Sequence, residues 1–157
     1  MRRNRVLHRA RRQLRRGLRW LWAQEGSAGQ RARGLAVGVL FGCFPFFGLQ
    51  IVISVAISGL VRGNHLLAAA GTLVSNPLTY VPLYWFNYIV GNWLLPEPLS
   101  PTDLSTISAG SLWDQGWDFT ARLLLGSSLV GAVLALGVGL ASYRMFKTAP
   151  RRKTALN

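Results

Sequence analysis

Between Gly34 and Leu95 the chain runs for 62 residues without an acid and with one formal charge, Arg62. Two proline breaks interrupt this run, Phe44-Pro45-Phe46-Phe47-Gly48 and Ser75-Asn76-Pro77-Leu78-Thr79. Water-soluble domains do not carry stretches this apolar, and a plain membrane anchor has no need to break its helices twice beside polar side chains. The run predicts a membrane protein that is more than an anchor.

Charge is segregated around it. The net charge is +13, and eleven arginines fall in residues 1–33 against the single acid Glu25. Arg144, Lys147, Arg151, Arg152 and Lys153 close the chain, while Glu97, Asp103, Asp114 and Asp118 all lie within 96–122. This basic–apolar–acidic–apolar–basic layout is a topology signal. It puts both termini in the cytoplasm and the acidic loop on the other side, and the expected location is the bacterial cytoplasmic (inner) membrane. The first apolar run begins only after residue 33, with no small-residue cleavage site after a short apolar core, so a cleavable signal peptide is not expected.

Residues 1–33 divide into an amphipathic arm and a hinge. At 100° per residue, Leu7, Ala10, Leu14, Leu18, Leu21 and Trp22 share one face, and Arg5, Arg9, Arg12, Arg15, Arg16 and Arg19 the other. Flanked by Trp20 and Trp22, such a helix suits the surface of a membrane with anionic headgroups, where each cation contributes roughly 1 kcal/mol. A nucleic-acid arm is the weaker reading of the same residues.

A helix needs about 20 residues to cross about 30 Å of hydrocarbon. Residues 123–143 meet this without interruption, and 66–95 exceed it. Pro45 splits 34–61 into pieces too short to cross alone. A basic N-terminus inside and an acidic loop outside demand an odd number of crossings within 34–95. The expectation is an all-α, polytopic helical membrane protein of two to three membrane segments. In it 34–61 is a proline-broken re-entrant hairpin, 66–95 a span, 96–122 an external loop, 123–143 a span and 148–157 a basic cytoplasmic tail. The alternative makes 34–61 a kinked span and the Asn76-Pro77 region the re-entrant element.

Gly34, Gly38 and Gly42 put a smooth strip on one helix face, which lets helices pack closely in lipid. Proline frees backbone groups that need partners in lipid, and Gln50, Ser54, Asn76 and Thr79 are suited to supply them. Paired breaks in apolar segments are also a pointer to a transporter binding site. Helix N-termini at breaks favour anions, and Arg62 with Asn64 suits a phosphate headgroup. The candidate ligand-binding set is therefore Pro45, Gly48, Gln50, Arg62, Asn64, Asn76, Pro77 and Thr79. Enzyme activity is not expected. No acid lies between residues 26 and 96, His8 and His65 are isolated, no metal-ligand cluster or nucleotide loop is present, and Cys43 in an apolar run reads as an inert small hydrophobe. No cofactor is expected.

The spelling Gly38-x-x-x-Gly42-x-x-Pro45-x-x-Gly48-x-Gln50, then Arg62-x-Asn64, then Gly71-Thr72-x-x-x-Asn76-Pro77-x-Thr79-x-x-Pro82-x-Tyr84 resembles the bacterial membrane family called domain of unknown function 2062. The resemblance covers residues 30–95 well, the acidic loop and last span by layout only, and leaves the arginine helix outside. It implies a small bacterial integral membrane protein with no established activity. Some members are fused to glycosyltransferases, which hints at envelope or lipid-linked sugar metabolism. Two functions follow. The first is binding or translocation of a small anionic or lipid-phosphate solute at the paired breaks; with so few crossings, a transport path implies a homo-oligomer. The alternative is a non-catalytic scaffold or anchor for an envelope glycosyltransferase.

Overall fold

Ser27 starts the first helix with a reciprocal cap. Its Oγ accepts from Gln30 N at 3.2 Å, and Gln30 Oε1 accepts from Ser27 N at 2.8 Å. In the computed structural model, which describes residues 12, 23–95 and 109–148 (side chains of the last helix from 116 on), this helix is α1, Ala28–Gly42. Pro45 disfavours helical geometry at Phe44, so α1 closes with tighter bonds from Cys43 N to Leu40 O and from Phe44 N to Phe41 O. Gly48, at φ +81°, reverses the chain into α2, Leu49–Leu60.

A second reversal at Arg62 (φ +52°) and Gly63 leads to Asn64, whose Oδ1 accepts from Leu67 N at 2.9 Å and caps α3, His65–Gly71. A 3₁₀ turn, Thr72–Val74, carries α3 to the second break, followed by α4, Tyr80–Leu94, and α5, Ala109–Thr148. All regular elements among the described residues are helical.

Glycine sets the packing register. A Cβ on Gly34 would meet Asn64 backbone, on Gly38 the Ala68 carbonyl, and on Gly42 the Thr72 backbone, so α1 and α3 run parallel in near backbone contact. The glycine strip is a packing device, as expected. Helix α2 runs antiparallel beside them. Helix α5 is antiparallel to α1, with Gly131 at Leu40, Gly139 at Ala36 and Phe146 beneath the Arg31 guanidinium, 4.6 Å from the ring centre. It is also antiparallel to α4, with Gly126 at Asn87 and Arg122 at Gly91. The α1–α2–α3 group and α4 are thus stacked along the two halves of one long helix, and both breaks lie at their junction.

Polarity is inverted relative to a soluble core. Helix α2 buries Gln50, Ser54 and Ser58, one per turn, and exposes Leu49, Ile51, Val52 and Leu60. Helix α4 buries Asn87 and exposes Val81, Trp85, Phe86, Ile89 and Trp93. Gly116–Thr148 is long and apolar enough to cross a membrane, with a mean hydropathy of 2.2 in its most apolar window and only 22% of that window buried. A core helix of a soluble protein would be mostly covered.

Two expectations change. The segment expected as an external loop to residue 122 is helical from Ala109, so Asp114 and Asp118 sit on α5. Pro101 is the last proline before Pro150, so nothing between them forbids helix. The segment 66–95 is two helices rather than one span, because the break from Ser75 to Thr79 closes on itself. Thr79 Oγ1 donates to Val74 O at 2.6 Å and Asn76 Oδ1 accepts from Leu78 N at 2.9 Å. Of the membrane-surface set, Arg5, Arg9, Arg15, Arg16, Arg19, Trp20 and Trp22 lie outside the described residues, and Arg12 is helical and exposed.

Candidate functional site at the paired helix breaks

The two breaks meet. Gln50, in the first turn of α2, donates from Nε2 to Ser75 Oγ across 3.1 Å and joins the first break to the second. The carbonyls at the end of α1 find partners on α4: Asn87 Nδ2 donates to Cys43 O at 2.9 Å and Tyr84 Oη donates to Phe44 O at 3.1 Å. Asn87 Nδ2 also reaches Ser127 Oγ on α5 at 3.0 Å. One fully buried amide therefore holds three helices together.

The predicted set is only partly assembled. Pro45, Gly48, Gln50, Asn76, Pro77 and Thr79 gather at the breaks. Arg62 and Asn64 do not, because the twelve residues of α2 carry them to its far end, about 18 Å away at 1.5 Å per residue. There Asn64 N donates to Gln30 O at 2.9 Å, Asn64 Nδ2 donates to Glu25 O at 2.9 Å, and Arg62 O accepts from Arg33 at 3.1 Å. Asn76 and Thr79 spend their polar atoms on their own turn.

A longer constellation connects the separated parts. Beginning at the Arg62 loop, Gly63 N donates to Ser58 O at 2.7 Å. Ser58, Ser54 and Gln50 follow on the buried face of α2, then the Gln50–Ser75 contact, Tyr84, and the Asn87–Ser127 pair. At the opposite end Arg122, 4% exposed, donates to Asn92 Oδ1 at 2.9 Å and to Leu95 O. Gln50 Oε1, Asn87 Oδ1 and Ser58 Oγ are buried along this seam with no hydrogen-bond partner. Helices α2 and α4 both begin at the breaks, and neither has a side-chain N-cap. Most of their first amides are taken by backbone carbonyls, Gln50 N by Phe46 O and Tyr80 N by Asn76 O among them, so what the seam offers is acceptor oxygens to a hydroxyl or a water.

Sequence reasoning named Gln50 and Ser54 but missed Ser58, Ser75, Asn87, Arg122 and Ser127. Asn87 carries a usable signal, a lone amide within the aromatic run Tyr84-Trp85-Phe86-Asn87-Tyr88. Among the described residues no group of three His, Cys, Asp or Glu side chains is placed to hold a metal ion.

A family described as an uncharacterized protein conserved in bacteria, DUF2062, matches residues 11–155. The chain belongs to that family. The DUF2062 match reaches beyond the motif string at 30–95: it begins within the arginine arm and takes in α5 and most of the tail. The arm from residue 11 is therefore part of the family pattern, contrary to the narrower expectation. No curated protein and no solved structure matches the chain.

Proposed function

We propose that this DUF2062 protein is an integral protein of the bacterial cytoplasmic membrane that binds and moves a small anionic or lipid-phosphate solute along the buried seam, without covalent chemistry of its own. The observation that carries the reading is the seam itself, a row of buried polar side chains between Arg62 and Arg122 inside an apolar exterior. An anchor gains nothing from burying such a row, since polar groups inside a membrane are costly. Dimensions agree: from Arg122 to Arg144, α5 rises about 33 Å, against about 30 Å of hydrocarbon.

In this arrangement α1 and α2 form a half-crossing hairpin whose tip, Cys43–Gly48, sits near mid-bilayer beside the break of α3–α4. Broken backbone at that depth needs its polar groups satisfied, and Asn87 and Tyr84 do this for Cys43 O and Phe44 O, while Asn76 and Thr79 close the second break on itself. The start of α1 and the end of α5 lie together through Arg31 and Phe146, at the end that carries Arg33, Arg62, Arg144 and Lys147. By the positive-inside tendency that end is cytoplasmic.

Topology is tested with single cysteines in a Cys43→Ser background. His65→Cys and Lys147→Cys should react only from the cytoplasmic side and Ser100→Cys only from outside. Outside labelling of His65→Cys would refute the half-crossing hairpin. Transport is tested in proteoliposomes containing a fluorescent nitrobenzoxadiazole-labelled phosphatidate. The protein should speed the exposure of inner-leaflet label to external dithionite; a rate equal to protein-free vesicles would sink the transport reading.

A further inference from the structure

A second feature lies outside the seam. Helices α1 and α5 leave a groove of about 500 Å³ on their outer side, floored by Ala32, Ala36, Ala132, Ala135 and Gly139. Small side chains on both helices keep it open. Arg33 and Tyr143 stand at one end of it and Leu40 at the other. We infer that this groove is a binding site for one anionic phospholipid of the cytoplasmic leaflet, with an acyl chain along the alanine floor and the phosphate on Arg33.

Length selects the occupant. From Ala132 to Tyr143, α5 rises about 16 Å at 1.5 Å per residue, and Arg33 to Leu40 covers the inner part of the same path on α1. That is about half of the 30 Å hydrocarbon layer, the depth of one leaflet. A transmembrane helix of a partner would need a groove that ran on past mid-bilayer.

Charge selects the headgroup. Arg33 is exposed at the mouth and spends one N–H on Arg62 O, so its remaining donors are available for the bidentate geometry that a phosphate offers. Arg31, Arg62, Arg144 and Lys147 belong to the same end, and Glu25 is the one acid among the described residues there. An anionic inner leaflet complements this rim.

The inference rests on the membrane reading above, and the test separates the two. Full-length protein is extracted in mild detergent, titrated with phosphatidylglycerol or phosphatidylcholine, and bound lipid is counted by native mass spectrometry. Wild type should hold one phosphatidylglycerol about ten times more tightly than phosphatidylcholine. Arg33→Gln should remove the headgroup preference, and Ala132→Trp, which fills the groove from an exposed position, should release both lipids. Val133→Trp places the same bulk on the adjacent exposed face and should change nothing, which distinguishes a blocked groove from a damaged fold. Glycerol phosphate should not compete; competition at equal concentration would make the site one for the free anion and overturn the lipid assignment. Undiminished phosphatidylglycerol binding in Ala132→Trp overturns the groove while leaving the membrane reading intact. A protein released from membranes by alkaline carbonate would overturn both.

Discussion

Gly91→Leu is expected to abolish the native packing of α4 on α5, and Gly126→Leu to do the same from the other side. A Cβ on Gly91 would overlap the Arg122 carbonyl, and one on Gly126 would overlap the Asn87 carbonyl. Both obstructions are backbone, which cannot swing aside as a side-chain tip can. Overpacking in a core that can adjust costs about 1–3 kcal/mol; here the helices must move apart, and the Asn87–Ser127 and Arg122–Asn92 bonds go with them. The cost should match or exceed the upper end of that range. Gly137→Leu supplies the control, because a Cβ there meets nothing within 4 Å. Thermal melting of the detergent-solubilised protein should show a large drop, or no cooperative transition, for the first two variants and a wild-type midpoint for the third. A wild-type midpoint for Gly91→Leu would mean that α4 and α5 are not in this register.

The second large effect is expected at Asn87. Replacing it with leucine leaves Cys43 O and Ser127 Oγ without their shared donor in a fully buried site. An unsatisfied buried polar group costs about 1–3 kcal/mol, so Asn87→Leu should remain foldable but loosened at the breaks. Under the transport reading its effect on function is larger, because the same change removes a polar atom from the middle of the seam. Phosphatidate exposure in proteoliposomes should fall at least about tenfold after correction for the folded fraction, and Gln50→Leu should fall in the same direction. Ser128→Ala, on the exposed side of α5 with its hydroxyl bonded to Leu124 O at 2.8 Å, should leave the rate unchanged. If Asn87→Leu loses stability and keeps the full rate, the seam is structural glue and the solute moves elsewhere.

Much of the architecture was legible without coordinates because the signals involved are local. Pro45 and Pro77 end helices through their own rings, Gly48 turns through its own φ, and Gly34-x-x-x-Gly38-x-x-x-Gly42 announces close packing by its spacing alone. The partners in that packing were not legible. Nothing in the spelling of Asn64, Ala68 and Thr72 says that they face the glycine strip. The same limit explains the divided site. Arg62 and Asn64 stand close to the breaks in the chain, but a twelve-residue helix carries them to the opposite end of the hairpin.

The 62-residue apolar run and the basic segments at the two ends of the sequence thus determined, by themselves, a helical chain interrupted at two places and charged at both ends. Those properties depend on each residue's own chemistry and on spacings of four residues or fewer. Only the tertiary structure decided that the two breaks meet, that Asn87 closes the end of α1, and that Ser54, Ser58 and Gln50 face inward while Ile51 and Val52 face out. Those contacts join residues 25 to 44 positions apart, and which face of a helix is covered depends on what packs against it.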